Sequence, residues 1–380
     1  MSDPNDSAPP RDLLAIARAF DPARLTQARR VRGISKTELH RLVGVSAAAI
    51  GQYERGEKRP RPDTVSTLAM ALGVPAGYFA YGRPRAKVEV AEASFRRLRS
   101  TSVAQQQQAT AYVEQAWELS LYLEKRVEFP ALDLPAWASP ESQGAPDPIT
   151  AAQQLRRHWA LGVDPIPHLV YEIEQHGILT LFFSMKQDPD LPAKSRIDAF
   201  STTAMPRPMI VLTPDKADDV LRHRFSAAHE LGHVVMHHGR HGSDVDMERQ
   251  ANAFAAEFLT PRDVIRDALP RRLNIGVLEQ LSEEWGVSVQ MLLRRSRDLE
   301  RISDSTVRRG YITLNSLARR PLTLDDVPSE RPELLRNAIE LLGSVGVALA
   351  DIAQDVQMTP RHVRRLAGIE VDEPRLSLVR

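Results

Sequence analysis

RFSAAHELGHVVMHH, residues 224–238, decides how the middle of this chain is read. At its centre is HELGH, 229–233, with two histidines four apart and a glutamate directly after the first. Residues i and i+4 share one face of an α-helix, so His229 and His233 can aim imidazole nitrogens at a single ion. Glu230 lies one residue round, placed to hold a water at that ion and take its proton. Zinc in such a place supplies Lewis acidity and lowers the pKa of its water to about 7. The flanking Phe225, Ala227, Ala228, Leu231, Val234 and Val235 are apolar, which argues against a solvated, histidine-rich surface helix.

A catalytic zinc uses three protein ligands and keeps one position open. The chain has no cysteine, so the third ligand must be a histidine or a carboxylate. Glu248 is the first candidate. It opens ERQANAFAAEF (248–258), a helix that puts Glu248, Ala251, Asn252 and Ala255 on one face. The alanines allow close approach to the HELGH helix, and Asn252 is placed to hydrogen-bond a ligand from behind. Glu257 is the alternative third ligand. Asp244 and Asp246 fall in a Gly- and Asp-rich loop (239–246) and read as solvated. His237 continues the histidine face at i+8 and reads as a support for a ligand or as partly exposed. His238 and His241 read as surface, and Arg224 as a partner for some carboxylate.

Upstream, 151–159 and 166–176 read as helices, and GILTLFFS (177–184), DAFSTT (198–203) and MIVLTP (209–214) as strands. A sheet-edge strand beside the HELGH helix can hold an extended peptide by backbone pairing, which favours a protein substrate over a small molecule. Downstream, a second helix is expected over 247–259. Beyond it the chain reads as helical, with two helix–turn–helix rhythms at 278–296 and 349–368, capped at Ser288 and Thr359 and taken as packing modules.

The N-terminal part is different in texture. Between 24 and 82 the sequence alternates short helices with tight turns. SKTE (35–38) is a capping box, Gly44 follows a helix end, Ser46 caps AAAIGQYERG, and Pro62 opens another helix. Residues 21–84 carry eleven Lys/Arg against five Asp/Glu, although the whole chain has a net charge of only +1. A basic small domain on a neutral chain points to a polyanion for that domain alone. At the start of the third helix, where side chains that read bases are presented, stand Ala47, Ala48 and Ala49. Gln52 and Arg55 remain as base readers. Lys36, Ser46, Lys58, Arg59 and Arg61 are better suited to phosphates, so backbone charge and DNA shape are expected to dominate. A protein partner is the alternative for this domain.

At 380 residues, with 42% hydrophobic and 26% charged residues, the chain suits two or three soluble domains. No apolar run is long enough to span a membrane, and the polar, Pro-rich start lacks a signal-peptide pattern, so a cytoplasmic location is expected. The prediction is a multidomain, mainly α chain: a disordered tail (1–20), an all-α helix-turn-helix domain that binds DNA (21–84), a helical connector with a Pro-rich linker (85–148), an α+β metallopeptidase domain (149–265) and a helical C-terminal region (266–380).

With RFSAAHELGH, ERQANAFAAEFLTP and IDAFSTT together, residues from roughly 150 to 265 resemble the ImmA/IrrE-type zinc metallopeptidases. The resemblance implies a zincin-like fold, Zn2+ on His229, His233 and Glu248, and Glu230 as general base. It also implies a role in bacterial or phage stress responses, in which members relieve repression by provoking cleavage or loss of a helix-turn-helix repressor. Residues 24–82 separately resemble the XRE (lambda-repressor/Cro-like) domain, through SKTELHRLVGVSAAAIGQYERGEKRPRPDTVSTLAMALGV. Such domains often act as dimers on paired half-sites, so a homodimer is expected. The expected function is a transcriptional regulator with zinc endopeptidase activity toward a repressor or other regulator. Two alternatives stand beside it: a DNA-binding factor whose peptidase-like domain senses a metal or ligand without cutting, and a component of a toxin–antitoxin or phage-related system. An intact Glu230 favours cutting.

Overall fold

The computed structural model describes residues 12–88, 102–139, 144–184, 198–213, 219–237, 244–316, 321–324, 326–327 and 330–369. The chain divides into two compact units. One takes its described residues from 12–88, 102–129 and 333–369; the other lies between 130 and 332.

The first unit begins with α1 (Leu13–Arg18), α2 (Pro22–Val31), α3 (Lys36–Val43), α4 (Ala47–Glu54) and α5 (Pro62–Leu72), followed by a 3-10 turn, Ala76–Phe79. The caps are those the sequence advertises. Ser35 and Glu38 close a capping box at 3.1 and 2.7 Å, Gly44 takes φ +72° after α3, and Ser46 accepts from Ala49 N at 3.1 Å. The core is Leu25, Leu39, Ile50, Val65, Leu68, Tyr78 and Phe79, joined by Ile16, Ala17 and Phe20. Those last three correct the expectation of a disordered tail through residue 20. LLAIARAF spaces Leu13, Ile16, Ala17 and Phe20 as one apolar helical stripe, and α1 lays that stripe on α5. Residues 1–11 of the expected tail lie outside the described residues.

The same unit contains α6 (Val103–Glu124), α15 (Leu334–Ser344), α16 (Leu349–Asp355) and α17 (Pro360–Leu366). α6, expected as part of a connector, is a central helix packed on α2, α15 and α17. Between Gln108 and Ser120 nearly every residue is buried, polar ones included, and those polar residues are paired. Gln27 donates to Glu114 and Glu118 at 3.1 Å each, Arg24 pairs with Glu118, and Gln115 bonds Tyr78 at 2.7 Å and His362 at 2.6 Å. The linear division expected from the sequence put 266–380 in one region. Of its described residues, those up to Pro332 belong to the second unit and 333–369 to the first.

The second unit holds α7 (Pro148–His158), α8 (Leu169–Gln175), β1 (Leu179–Phe182), β2 (Ala199–Thr202), β3 (Met209–Leu212), α9 (Val220–Met236), α10 (Asp244–Leu259), α11 (Arg262–Ala268), α12 (Ile275–Trp285), α13 (Val289–Asp298) and α14 (Asp304–Ser316). The strands form a sheet in the order β1-β3-β2, with β1 parallel and β2 antiparallel to β3. α9 packs on β2, β3 and α10. Its Ala227, Ala228, Leu231, Val234 and Val235 join Phe254, Ala255 and Phe258 of α10 in one core. α10 starts at Asp244, three residues before the expected 247. The rest of the expected loop, 239–243, lies outside the described residues, as do His238 and His241. No helix among the described residues is long and apolar enough to cross a membrane.

Candidate metal centre and nucleic-acid face

α9 is fixed at its start by Asp219, which accepts from Leu221 N and Arg222 N at 3.1 and 3.3 Å. Arg224, one turn on, finds its carboxylate in Glu330. That glutamate also caps α8 through Leu169 N and Val170 N at 3.0 and 3.2 Å, while Arg224 donates to the carbonyls of Ile166 at 2.6 Å and Gly286 at 2.8 Å. The first turns of the HELGH helix are therefore clamped to α8 and to the turn before α13.

His229 and His233 sit one turn apart with their Nε2 atoms 3.2 Å from each other. Glu248, in the first half of α10, brings Oε1 to 3.2 Å from His233 Nε2 and Oε2 to 3.5 Å from His229 Nε2. All three side chains are buried. In the tautomer that keeps the proton on Nδ1, both imidazoles turn an Nε2 lone pair toward the Glu248 carboxylate, and the three groups then repel one another unless a cation lies between them. They suit a shared cation. Ligands about 2.0–2.1 Å from a tetrahedral zinc lie about 3.3–3.4 Å apart; the two Nε2 atoms are close to that spacing at 3.2 Å, and each has one oxygen of the Glu248 carboxylate at 3.2 or 3.5 Å. The donor set is one that could hold a metal ion, and among the described residues it is the one such cluster.

The surroundings hold these groups in place. His233 Nδ1 lies 2.9 Å from His237 Nδ1, and the other ring nitrogen of His237 lies 2.9 Å from Gln250 Oε1. With His233 Nε2 turned to an ion, its Nδ1–H donates to His237, whose Nε2–H then donates to Gln250. His237 thus stands behind a ligand rather than in the cluster. Asn252 donates to the backbone carbonyl of Glu248 at 2.8 Å, holding the helix turn and not the carboxylate. Glu230 is 5% exposed and accepts a 2.7 Å hydrogen bond from Ser201 Oγ on β2. Neither Gln250 nor Ser201 was singled out in the sequence. Gln250 has no periodic signal relative to Glu248. Ser201 had one, a polar residue inside the buried run AFS.

Glu257 is elsewhere. Nine residues separate it from Glu248, and at about 100° per residue this places it on the opposite side of α10. There it is fully buried, paired with Arg295 and Arg262, and accepts from Gln153 at 3.0 Å. Burial works against its charge, but the Arg295 guanidinium outweighs that and holds the carboxyl below its ordinary range. Asp246 is exposed and paired with Arg249 at 2.8 Å. A small cleft lined by Asp198, Ala199, Phe225, Ser226, His229 and Glu230 lies between the start of β2 and α9.

On the first unit, α3 and α4 present the face expected to meet DNA. Ser46 is at the start of α4, and Ala48 at its first turn is exposed. Lys36 Nζ lies 3.0 Å from Glu54, which also takes Arg29 at 2.6 Å. Arg55 forms a two-bond pair with Glu57 at 2.5 and 2.8 Å. Gln52 is half-buried, while Lys58 and Arg59 are exposed. Of the basic residues expected to contact nucleic acid, Lys36 and Arg55 thus already have carboxylate partners.

Residues 173–297 match the family model described as IrrE N-terminal-like domain, and residues 25–79 match the one described as Helix-turn-helix. The first match runs from α8 through α13 and contains the sheet, α9 and α10. No curated protein matches the chain. The chain therefore joins an XRE-like helix-turn-helix domain to an IrrE/ImmA-like peptidase domain. This defines a regulatory protein with a peptidase-like domain.

Proposed function

We propose that this chain is a cytoplasmic transcriptional or stress-response regulator whose peptidase-like domain is a zinc endopeptidase acting on a repressor or another regulatory protein. The observation that carries the reading is the triangle of His229, His233 and Glu248, with Glu230 buried beside it. His229, His233 and Glu248 would hold Zn2+, which when bound polarises a peptide carbonyl and makes water acidic enough to lose a proton near neutrality. Glu230 would serve as the base that takes a proton from water and the acid that returns it to the departing amine. Among the described residues β2 is the sheet edge beside α9, and its outer side is where an extended substrate would lie. His237 steadies His233 from behind, and Asn252 holds the helix turn that carries Glu248.

The helix-turn-helix domain, with its body between residues 21 and 84, brings this activity to an operator. Lys58 and Arg59 supply phosphate contacts, with Ser46, Gln52, Lys36 and Arg55 around them, and a homodimer places two such faces on paired half-sites. The test is to mix zinc-loaded wild type and Glu230→Gln with purified helix-turn-helix repressors and weigh the intact products. Fragments of one partner with wild type only support the reading. Zinc binding without cleavage of any partner replaces it with a metal or ligand sensor.

A further inference from the structure

We infer that Ser201 is a positioning residue for Glu230, and that it couples the docking of an extended peptide on β2 to the orientation of the base. This rests on the peptidase reading above. The register of β2 and β3 supplies the first half of the argument. Thr213 N donates to Asp198 O at 3.0 Å, so these two residues form a hydrogen-bonded pair. Pairs alternate along an antiparallel ladder. With Ala199 opposite Leu212 and Phe200 opposite Val211, Phe200 and Thr202 turn their N–H and C=O groups toward β3. Ala199 and Ser201 turn theirs the other way, to the outer edge. Leu212 agrees with this phase, because its carbonyl accepts from Phe183 N at 2.9 Å on the β1 side. The main chain of Ser201 therefore faces the side on which an added strand would pair; Ser201 is 2% exposed, so pairing there requires what covers that edge to move aside.

The side chain supplies the second half. Ser201 Oγ–H donates to Glu230 Oε2 at 2.7 Å, with Ser201 2% and Glu230 5% exposed. A hydroxyl donating to an ionised carboxylate makes a strong bond, about twice a neutral one. It fixes the plane of the carboxyl group relative to His229, the neighbouring residue. Serine has one short arm from backbone to hydroxyl, so a strand pairing with its main chain moves or settles the hydroxyl that donates to Glu230. The cleft beside His229 and Glu230 is bounded by the same strand, at Asp198 and Ala199. Peptide engagement and base alignment thus share a residue.

The experiment uses the full-length, zinc-loaded chain and calorimetry with two probes. One is an N-acetylated tetrapeptide hydroxamate, which takes the metal, meets Glu230 and lies along β2; the other is acetohydroxamate, which lacks the peptide. Ser201→Ala should weaken the peptidyl probe by about tenfold, and acetohydroxamate by less. Ser201→Thr, which keeps the hydroxyl and suits a strand, should restore binding. In a Glu230→Ala background the effect of Ser201→Ala should disappear, and zinc content should stay at the wild-type level in all Ser201 variants. Wild-type affinity in Ser201→Ala, an undiminished loss in the Glu230→Ala background, loss of zinc, or no binding of the peptidyl probe by wild type would each overturn the inference. Failure of the peptidase reading looks different: wild type binds the probe and shows the coupling, yet leaves every protein partner intact.

Discussion

His233 Nε2 and Glu248 Oε1 lie 3.2 Å apart although fifteen positions separate them in sequence. They meet because α9 and α10 approach closely, and Gly232, next to His233, lies in that contact. A Cβ built there lies 3.0 Å from Phe254 Cδ1 and 3.4 Å from Ala251 Cα. Gly232→Ala should gain about 1 kcal/mol of helix propensity but lose about 1–3 kcal/mol to overpacking. The helices part slightly and zinc affinity falls on the order of tenfold. A competitive zinc titration, with a thermal melt alongside, checks this; unchanged affinity would show that the helix spacing does not set the site.

Glu257 and Glu248 share a helix but should fail in different ways. Glu257→Ala leaves Arg295 buried beside an absent partner and should cost about 3–5 kcal/mol, while the folded fraction keeps its zinc. The charge of Glu257 is held below its ordinary pKa of 4.5, so its contribution to stability is present above that pH and is lost as pH falls through the lower folded value. Denaturant melts of wild type and variant between neutral and acid pH should converge toward the acid end. A constant gap would mean that the Arg295 pair is not what stabilises this helix.

In the first unit, His362 is pushed down to about 4 by burial and by the charge of Arg365, with its Nε2 2.6 Å from Gln115 Oε1. The unfolded chain takes up a proton near the ordinary value of 6.5 and the folded chain does not. Stability should therefore be full above that pH and decline as pH drops from there toward about 4. His362→Gln should flatten this slope in the melting profile of the helix-turn-helix unit; an identical slope in the variant would assign the acid sensitivity to other groups.

Lys58 and Arg59 are exposed, whereas Lys36 and Arg55 are each held by a carboxylate. Lys58→Ala and Arg59→Ala should each lower duplex affinity and reduce the salt dependence of binding by about one counterion. Arg55→Ala and Lys36→Ala should do less, since each cation gives up a partner to reach a phosphate. Fluorescence anisotropy across a salt series measures this, and four equal effects would remove the distinction drawn from the ion pairs.

Much of this was legible in the sequence, because the decisive signals are local. Ser35, Glu38, Gly44, Ser46 and Pro62 declare their helix ends within four residues of themselves, and HELGH fixes two side chains on one face by helical geometry alone. Glu248 could be singled out because small alanines follow it at helical spacing. What stayed hidden depends on chain segments meeting across long separations. Nothing local in Glu330 tells that it grips Arg224, and nothing in QQQQ (105–108) tells that α6 becomes a central helix packed on both α2 and α17. The α1 stripe was masked by the Pro-rich residues that precede it. Ser201 was visible only as a polar residue out of place in a buried strand, a hint that needs the facing helix to acquire meaning.

The account stands most directly on the metal triangle, and native mass spectrometry of the full-length chain measures it without any substrate. Wild type should carry one zinc per chain, and Glu248→Gln should lose most of it while remaining folded. Wild type without stoichiometric zinc, or Glu248→Gln that retains it, would contradict the site.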